Sequence, residues 1–406
     1  MSNDGKAPTP GSGTRLARLL ILAVVFINMT GFSLILPLLP FYGRLLNASA
    51  FEVTTLFAAY SLGNIFGEIW WGRLSDRYGR KRILMFTTTA AGLTYIAFAF
   101  ATHLWLALLI RVIGGFFGGT LGVCQSYIAS VTSPEERPRS MGYFGAALNL
   151  GIAIGPAVGG VLATPAMGLA GFRLPIFVAA AVSGVAALWT VFVLKESRVS
   201  GPVRALPQWG EAFRFVSIDA MLSRLFFLAF IGIGSFAALE AVFGLWTQHN
   251  FGWSSHQVGL AFVAVGGTGL TLQLLVVGPL AKRVGEARVI VLGMLALGIS
   301  MVLQPVIRLP LASVVLMSTL MGGHSIAFPN VSALISRTTP PANYGTVLGL
   351  QMAMTALGRI VVPPIFGFVY SAVGPDAPYY ACAAIMVFAV IVALQVMRIR
   401  DGRAYS

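Results

Sequence analysis

Residues 72–82 read Gly-Arg-Leu-Ser-Asp-Arg-Tyr-Gly-Arg-Lys-Arg, six charges wedged between two long apolar runs. About 206 residues later, positions 278–288 read Gly-Pro-Leu-Ala-Lys-Arg-Val-Gly-Glu-Ala-Arg, again between apolar runs. Two more pairs fall at nearly the same offset. Ser130-Val-Thr-Ser-Pro134 lands on Ser336-Arg-Thr-Thr-Pro340, and, with a small extra shift, Gly155-Pro156-Ala-Val-Gly159 lands on Pro363-Pro364-Ile-Phe-Gly367. Three matches at one spacing mark an internal duplication.

The runs around these loops set the fold class. Hydrophobic residues make up 57% of the 406 and charged residues only a tenth. Soluble domains carry about a quarter charged residues, so this chain cannot coat itself for water and needs lipid. A hydrocarbon core of about 30 Å takes roughly 20 helical residues to cross. Twelve runs have that length, near 16–38, 52–72, 82–102, 104–128, 139–164, 172–194, 223–247, 256–281, 287–307, 310–335, 343–372 and 377–398. They are continuous, where a membrane β-barrel would alternate in short segments. The expectation is an all-α integral membrane protein with twelve transmembrane helices in two pseudo-symmetric six-helix bundles. Residues 1–14 read as a disordered tail, 15–194 as the first bundle and 195–222 as a linker. In the linker, Trp209, Phe213 and Val216 share one face of an amphipathic surface helix. The second bundle spans 223–398 and a short tail covers 399–406.

The net charge of +14 would suit nucleic acid if it lay on one folded surface. It lies instead in the loops. Counting alternate loops puts 22 of the 27 Lys and Arg on one side and three (Arg44, Arg173 and Arg308) on the other, with Arg111 and Arg359 inside spans. Basic loops stay in the cytoplasm, so both termini are expected there, with no nucleic-acid partner. Cys124 and Cys382 fall in apolar runs and read as core residues. No phosphate-binding G-x-x-x-x-G-K-[ST], H-E-x-x-H or G-x-S-x-G motif occurs. That leaves no support for an enzyme, a metal or a cofactor, and makes an ion gradient the expected energy source. Paired repeats in a membrane place a binding site near the midplane and expose it alternately to each side. This is the architecture of a secondary transporter.

The chain resembles the major facilitator superfamily, specifically its twelve-helix drug:proton antiporter branch, and is similar to tetracycline and multidrug efflux proteins. Gly72, Asp76, Arg77, Gly79 and Arg80 fit that family's G-x-L-x-D-R-x-G-R-[KR] loop. The resemblance implies that Asp76 latches onto the start of the eleventh helix, near Asn343, in the outward-facing state. A plain positive anchor would explain the arginines but not the acid. In the fifth span Gly151, Gly155, Pro156, Gly159 and Gly160 match the antiporter pattern G-x-x-x-G-P-x-x-G-G, which in the family goes with export. Small residues four apart also let helices touch, whatever the transport direction. The resemblance further implies a bacterial cytoplasmic (inner) membrane location. The partners expected are a small-molecule substrate, protons and the lipid bilayer, with the chain acting as a monomer.

Few polar groups lie within the spans. Arg111 is costly there unless it faces a cavity or a partner; the resemblance gives it a part in proton transfer, and a structural arginine bonded to carbonyls is the alternative. Glu68 could reach water or pair with Arg73 or Arg77. Glu240 sits well inside the seventh span, where burial disfavours its charged form, so it is the first candidate for a proton carrier; His324 is a second. Arg359 stands where the duplicate has Gly151 and adds a cation beside the expected cavity. Asn28, Asn64, Gln125, Asn149, Gln273, Asn330 and Gln351 could line that cavity or simply bond helix to helix. The intramembrane aspartates of the tetracycline exporters, in their first, third and ninth helices, have no counterpart here. The leading expectation is therefore proton-coupled export of small amphipathic compounds. The alternatives are uptake or exchange of a metabolite such as an organic anion, and a transporter-like receptor.

Overall fold

The computed structural model describes residues 12–133, 136–196, 219–340 and 344–404. Among them there are helices and no strands. The first expected span is α1 (Ser12–Leu34), a 3-10 turn at Leu36–Leu38 and α2 (Leu39–Leu45). Next come α3 (Ala50–Tyr78) and α4 (Arg80–Ala99), and then α5 (Leu104–Gly118) and α6 (Leu121–Val131), which share one span. The N-terminal set closes with α7 (Arg137–Leu162) and α8 (Arg173–Val193). The C-terminal set holds α9 (Ala220–Phe251), α10 (Ser255–Leu275), the short α11 (Val277–Val284), α12 (Glu286–Val306), α13 (Pro310–Thr338), α14 (Tyr344–Ala372) and α15 (Ala377–Ala404).

Eleven helical stretches among the described residues are long and apolar enough to cross a membrane. The remaining expected span, α3, has 29 residues but carries Asn64 and Glu68 along its length; it packs inside the bundle between α5 and α14. The outer surface of the bundle is apolar: Trp105, Phe192, Leu311 and Val373 are 78%, 81%, 77% and 76% exposed. Side chains of that kind in contact with solvent demand lipid as the solvent. This is an integral, multi-pass membrane protein.

The duplication is visible in backbone detail. Gly79 and Gly285, 206 residues apart, both take positive φ (+101° and +87°) and both open the next helix. Only glycine adopts that conformation cheaply, which is why the charged loop repeats with its glycine in register. Capping repeats as well. Ser49 and Glu52 form a capping box at the start of α3, and Ser254 and Gln257 form one at the start of α10, each satisfying otherwise orphaned backbone N–H groups.

Boundaries shift from expectation in three places. The fourth span is broken at Gly119–Thr120, the eighth at Val276 and the first at Ile35. At the chain ends, α1 already begins at Ser12 and α15 continues to Ala404, past Arg398. The rest of the N-terminal tail and the face formed by Trp209, Phe213 and Val216 lie outside the described residues.

Packing within the N-terminal set pairs α1 with α7, α3 with α5 and α4 with α8; within the C-terminal set α12 packs on α13 and α15, and α10 on α13. The two sets meet chiefly along α7–α10 and α3–α14. Glycines bring the backbones together. A Cβ on Gly160 would stand 2.5 Å from the Cα of Gly259, and one on Gly367 would strike the Ala50 carbonyl at 2.6 Å. Both approaches lie at the ends of their helices remote from the basic loops.

Candidate functional site

Three of the expected polar groups converge. Glu240 on α9, His324 on α13 and Arg359 on α14 come close enough for the guanidinium to act electrostatically on both partners. Each is drawn from a different helix, and Gly358 lets α14 approach the Phe230 carbonyl of α9 at 2.5 Å from its added Cβ. Glu240 is half-buried and makes no hydrogen bond or ion pair within 4.0 Å among the described residues. Arg359 has the exposure of a surface residue although it lies within the bundle.

His324 is clamped. Its ring stacks on Phe236 at 4.5 Å and on Phe328 at 5.5 Å, both at 17° between planes. Phe236 is one turn before Glu240 and Phe328 one turn after His324, so the same helical spacing that presents the polar pair supplies the aromatic walls. The spacing of four was present in the sequence as the signal for both phenylalanines.

Arg111 lies elsewhere, inside the N-terminal set. It is 4% exposed, donates from Nε to the Leu56 carbonyl at 3.2 Å and sits 4.7 Å from the Tyr60 ring. Its Nη2 has no protein partner. Beside it a cavity of about 10 Å3 is bordered by Tyr60, Thr94 and Tyr95, room for about one water.

Glu68 is paired with neither Arg73 nor Arg77. Its carboxylate accepts from the Gly122 N–H at 3.2 Å. It thereby caps α6 where the fourth span breaks, placing negative charge at a helix N-terminus. The break exists because Gly63, Gly67, Gly115 and Gly119 press α3 and α5 backbone to backbone, leaving Glu68 facing the freed N–H groups.

The charged loop is held from a direction the sequence did not suggest. Asp76 faces Arg80 at 3.7 Å, while Glu196, beyond the end of α8, accepts from the Lys81 N–H at 3.1 Å and lies 4.0 Å from Arg82. The expected partner near Asn343 lies outside the described residues. Arg77 lies over the Tyr78 ring at 5.3 Å.

The antiporter pattern has two faces. Gly151, Gly155 and Gly159 press on α1 at Phe26, Thr30 and Leu34, whereas Gly160 meets Gly259 of α10. Pro156 belongs to the second face, since its carbonyl lies 3.0 Å from a Cβ on Gly259. On the same seam Asn149 donates to Gln273 Oε1 at 2.8 Å, so these two candidates bond to each other across the two helix sets. Gln351 donates to Ser332 at 2.6 Å, and Asn330 donates to the Ile326 carbonyl at 2.7 Å, within the C-terminal set. Asn28, Asn64 and Gln125 are half-buried with no hydrogen bond among the described residues.

The chain matches the family described as the Major Facilitator Superfamily over residues 21–246 and 225–404. It belongs to that superfamily. The family consists of transporters, so a small-molecule substrate and a membrane setting follow. The chain is similar to tetracycline resistance protein class G of Vibrio anguillarum, at 31% identity over 88% of this chain and 91% of the relative. It is also similar to multidrug resistance protein 2 of Bacillus subtilis, at 26% identity over 87% and 88%. Among solved structures, the nucleoside transporter NupG superposes with a TM-score of 0.73 at 16% identity, over 94% of this chain and 98% of that one. The human organic anion transporter MFSD10 gives 0.69 at 20% identity, over 94% and 99%. At such identities the two structures speak for the fold alone.

Proposed function

We propose that this transporter is a proton-coupled antiporter that exports small amphipathic compounds by alternating access. The observation that carries the reading is the half-buried, unpaired carboxyl of Glu240 on α9, within electrostatic reach of Arg359 on α14. A carboxylate at this depth is costly unless a proton or a cation neutralises it. Either a proton or a substrate cation can therefore occupy it, and the exchange of one for the other is antiport. Its relatives' printed names, tetracycline and multidrug resistance proteins, support export. The glycine approaches at Gly160–Gly259 and Gly367–Ala50 support reading this state as one closed on the side away from the basic loops. In this reading the basic loops and both termini are in the cytoplasm, the membrane is the bacterial inner membrane, and the functional unit is the monomer.

The test is substrate-driven proton flux in proteoliposomes under an imposed pH gradient, with lipophilic cations as probes. Glu240→Gln should abolish gradient-driven efflux while the protein still folds. Full transport by this variant would remove Glu240 from the mechanism.

A second reading is favoured by Arg359, an exposed cation within electrostatic reach of Glu240: exchange of an organic anion on the same scaffold. It is preferred if Arg359→Gln alone abolishes transport and lipophilic cations do not compete.

A further inference from the structure

At the basic-loop end of the C-terminal set lies a cavity of about 590 Å3 that has no part in the central site. Its walls come from α11, the start of α12, the lower half of α13 and the end of α15. Glu286 forms its floor. The carboxylate is 9% exposed and pairs with Arg337 at 3.0 Å and with Arg400 at 3.1 Å. Lys282 adds a third cation at the rim and has no ion-pair partner among the described residues. One buried acid therefore faces three cations, leaving a formal surplus of +2 inside a concave pocket.

Val277, Ala281, Pro329 and Ala333 make the apolar part of the remaining walls, and Asn330 adds one polar side chain. None of the eight residues of α11 is fully buried, and Val277, Leu280, Ala281 and Val284 on its apolar side are only half-buried. A pocket that joins basic groups to apolar side chains at the basic-loop end of the bundle matches an acidic amphiphile better than a free anion. The arginines are already oriented by Glu286, so a phosphate would meet guanidinium groups held in place.

We propose that this cavity binds the phosphate headgroup of an acidic phospholipid from the leaflet on the basic-loop side, with the upper acyl chain lying against α11. Lys282 and Arg337 contact the phosphate, and Glu286 sets the position of both arginines while limiting the affinity.

The full-length protein is delipidated in detergent, and binding of phosphatidylglycerol, phosphatidylcholine and inorganic phosphate is counted by native mass spectrometry. Phosphatidylglycerol is expected to bind in preference to phosphatidylcholine. Lys282→Gln, which breaks no ion pair, should weaken that binding about five-fold, the weight of one basic group near a lipid surface. Glu286→Gln should strengthen it, an effect opposite to that of simple loosening of the helix ends. Equal binding of both lipids, or no change in Lys282→Gln, overturns the proposal. Displacement of the lipid by millimolar inorganic phosphate also overturns it, because the pocket would then be a small-anion site.

Discussion

Gly160 of α7 and Gly259 of α10 meet so closely that a Cβ on either would stand 2.5 Å from the other's Cα. The two residues belong to different helix sets, and one is part of the antiporter pattern. A contact this tight leaves no room for any side chain, so a substitution must push the sets apart at their outer ends. Gly160→Val is expected to cost the packing at this seam about 1–3 kcal/mol. Single cysteines placed beside Gly160 and Gly259 should be labelled faster by a thiol reagent in this variant; unchanged accessibility would mean that the glycine contact does not hold the two helix sets together.

Gly79 and Gly285 share a positive φ but not their surroundings. A Cβ on Gly79 would run into the Glu196 carboxyl at 2.5 Å, whereas one on Gly285 would find only Arg400 Nη1 at 3.8 Å. Both alanine variants bear the backbone cost of about 1 kcal/mol. Gly79→Ala bears an additional clash and should melt lower than Gly285→Ala in thermal unfolding in detergent. Equal midpoints would count against the grip of Glu196 on this loop.

Arg111 is held by the Leu56 carbonyl and the Tyr60 ring. Removing a charged hydrogen bond and a desolvated cation–π contact together costs about 2 kcal/mol or more. Arg111→Ala should therefore lower thermal stability before any effect on transport is considered. Tyr60→Phe keeps the ring and should be mild. A stable, transport-dead Arg111→Ala protein would assign the residue to chemistry instead of support.

Glu68 caps α6 through its carboxylate. Glu68→Gln keeps an acceptor oxygen and should retain most of the stability, while Glu68→Ala should lose about 1 kcal/mol, the usual weight of a cap. Hydrogen exchange at Gly122 reads this directly, with the fastest exchange expected for alanine. Identical protection in all three proteins would exclude the capping role.

Much of this molecule could be read from the chain because its signals were repeated or long. The charged loops announce themselves twice, and Gly79 and Gly285 take the same unusual backbone because the same turn is needed twice. What escaped reading depends on approach between distant segments. The break at Gly119–Thr120 carries no proline to mark it; it comes from α3 pressing on α5 through Gly63, Gly67 and Gly115. Glu68 looked like a partner for nearby arginines, yet that same pressure puts it opposite the freed N–H groups of α6. Glu286, Arg337 and Arg400 lie at the ends of three separate helices, and no spacing rule joins them. Phe236 and Phe328 were accessible to the simplest rule, one turn from Glu240 and His324, but an apolar residue in an apolar run attracts no notice until its neighbour is seen stacked on it.

The α7–α10 seam consists of Gly160 on Gly259, Ala153 on Gly266 and the amide pair Asn149–Gln273. None of these groups carries charge. Parting the seam separates no ion pair there, and water can replace an amide bond nearly one for one. The opening of this seam should therefore be indifferent to ionic strength, whereas salt acts on the ion pairs elsewhere, at the charged loops and at Arg308–Asp376.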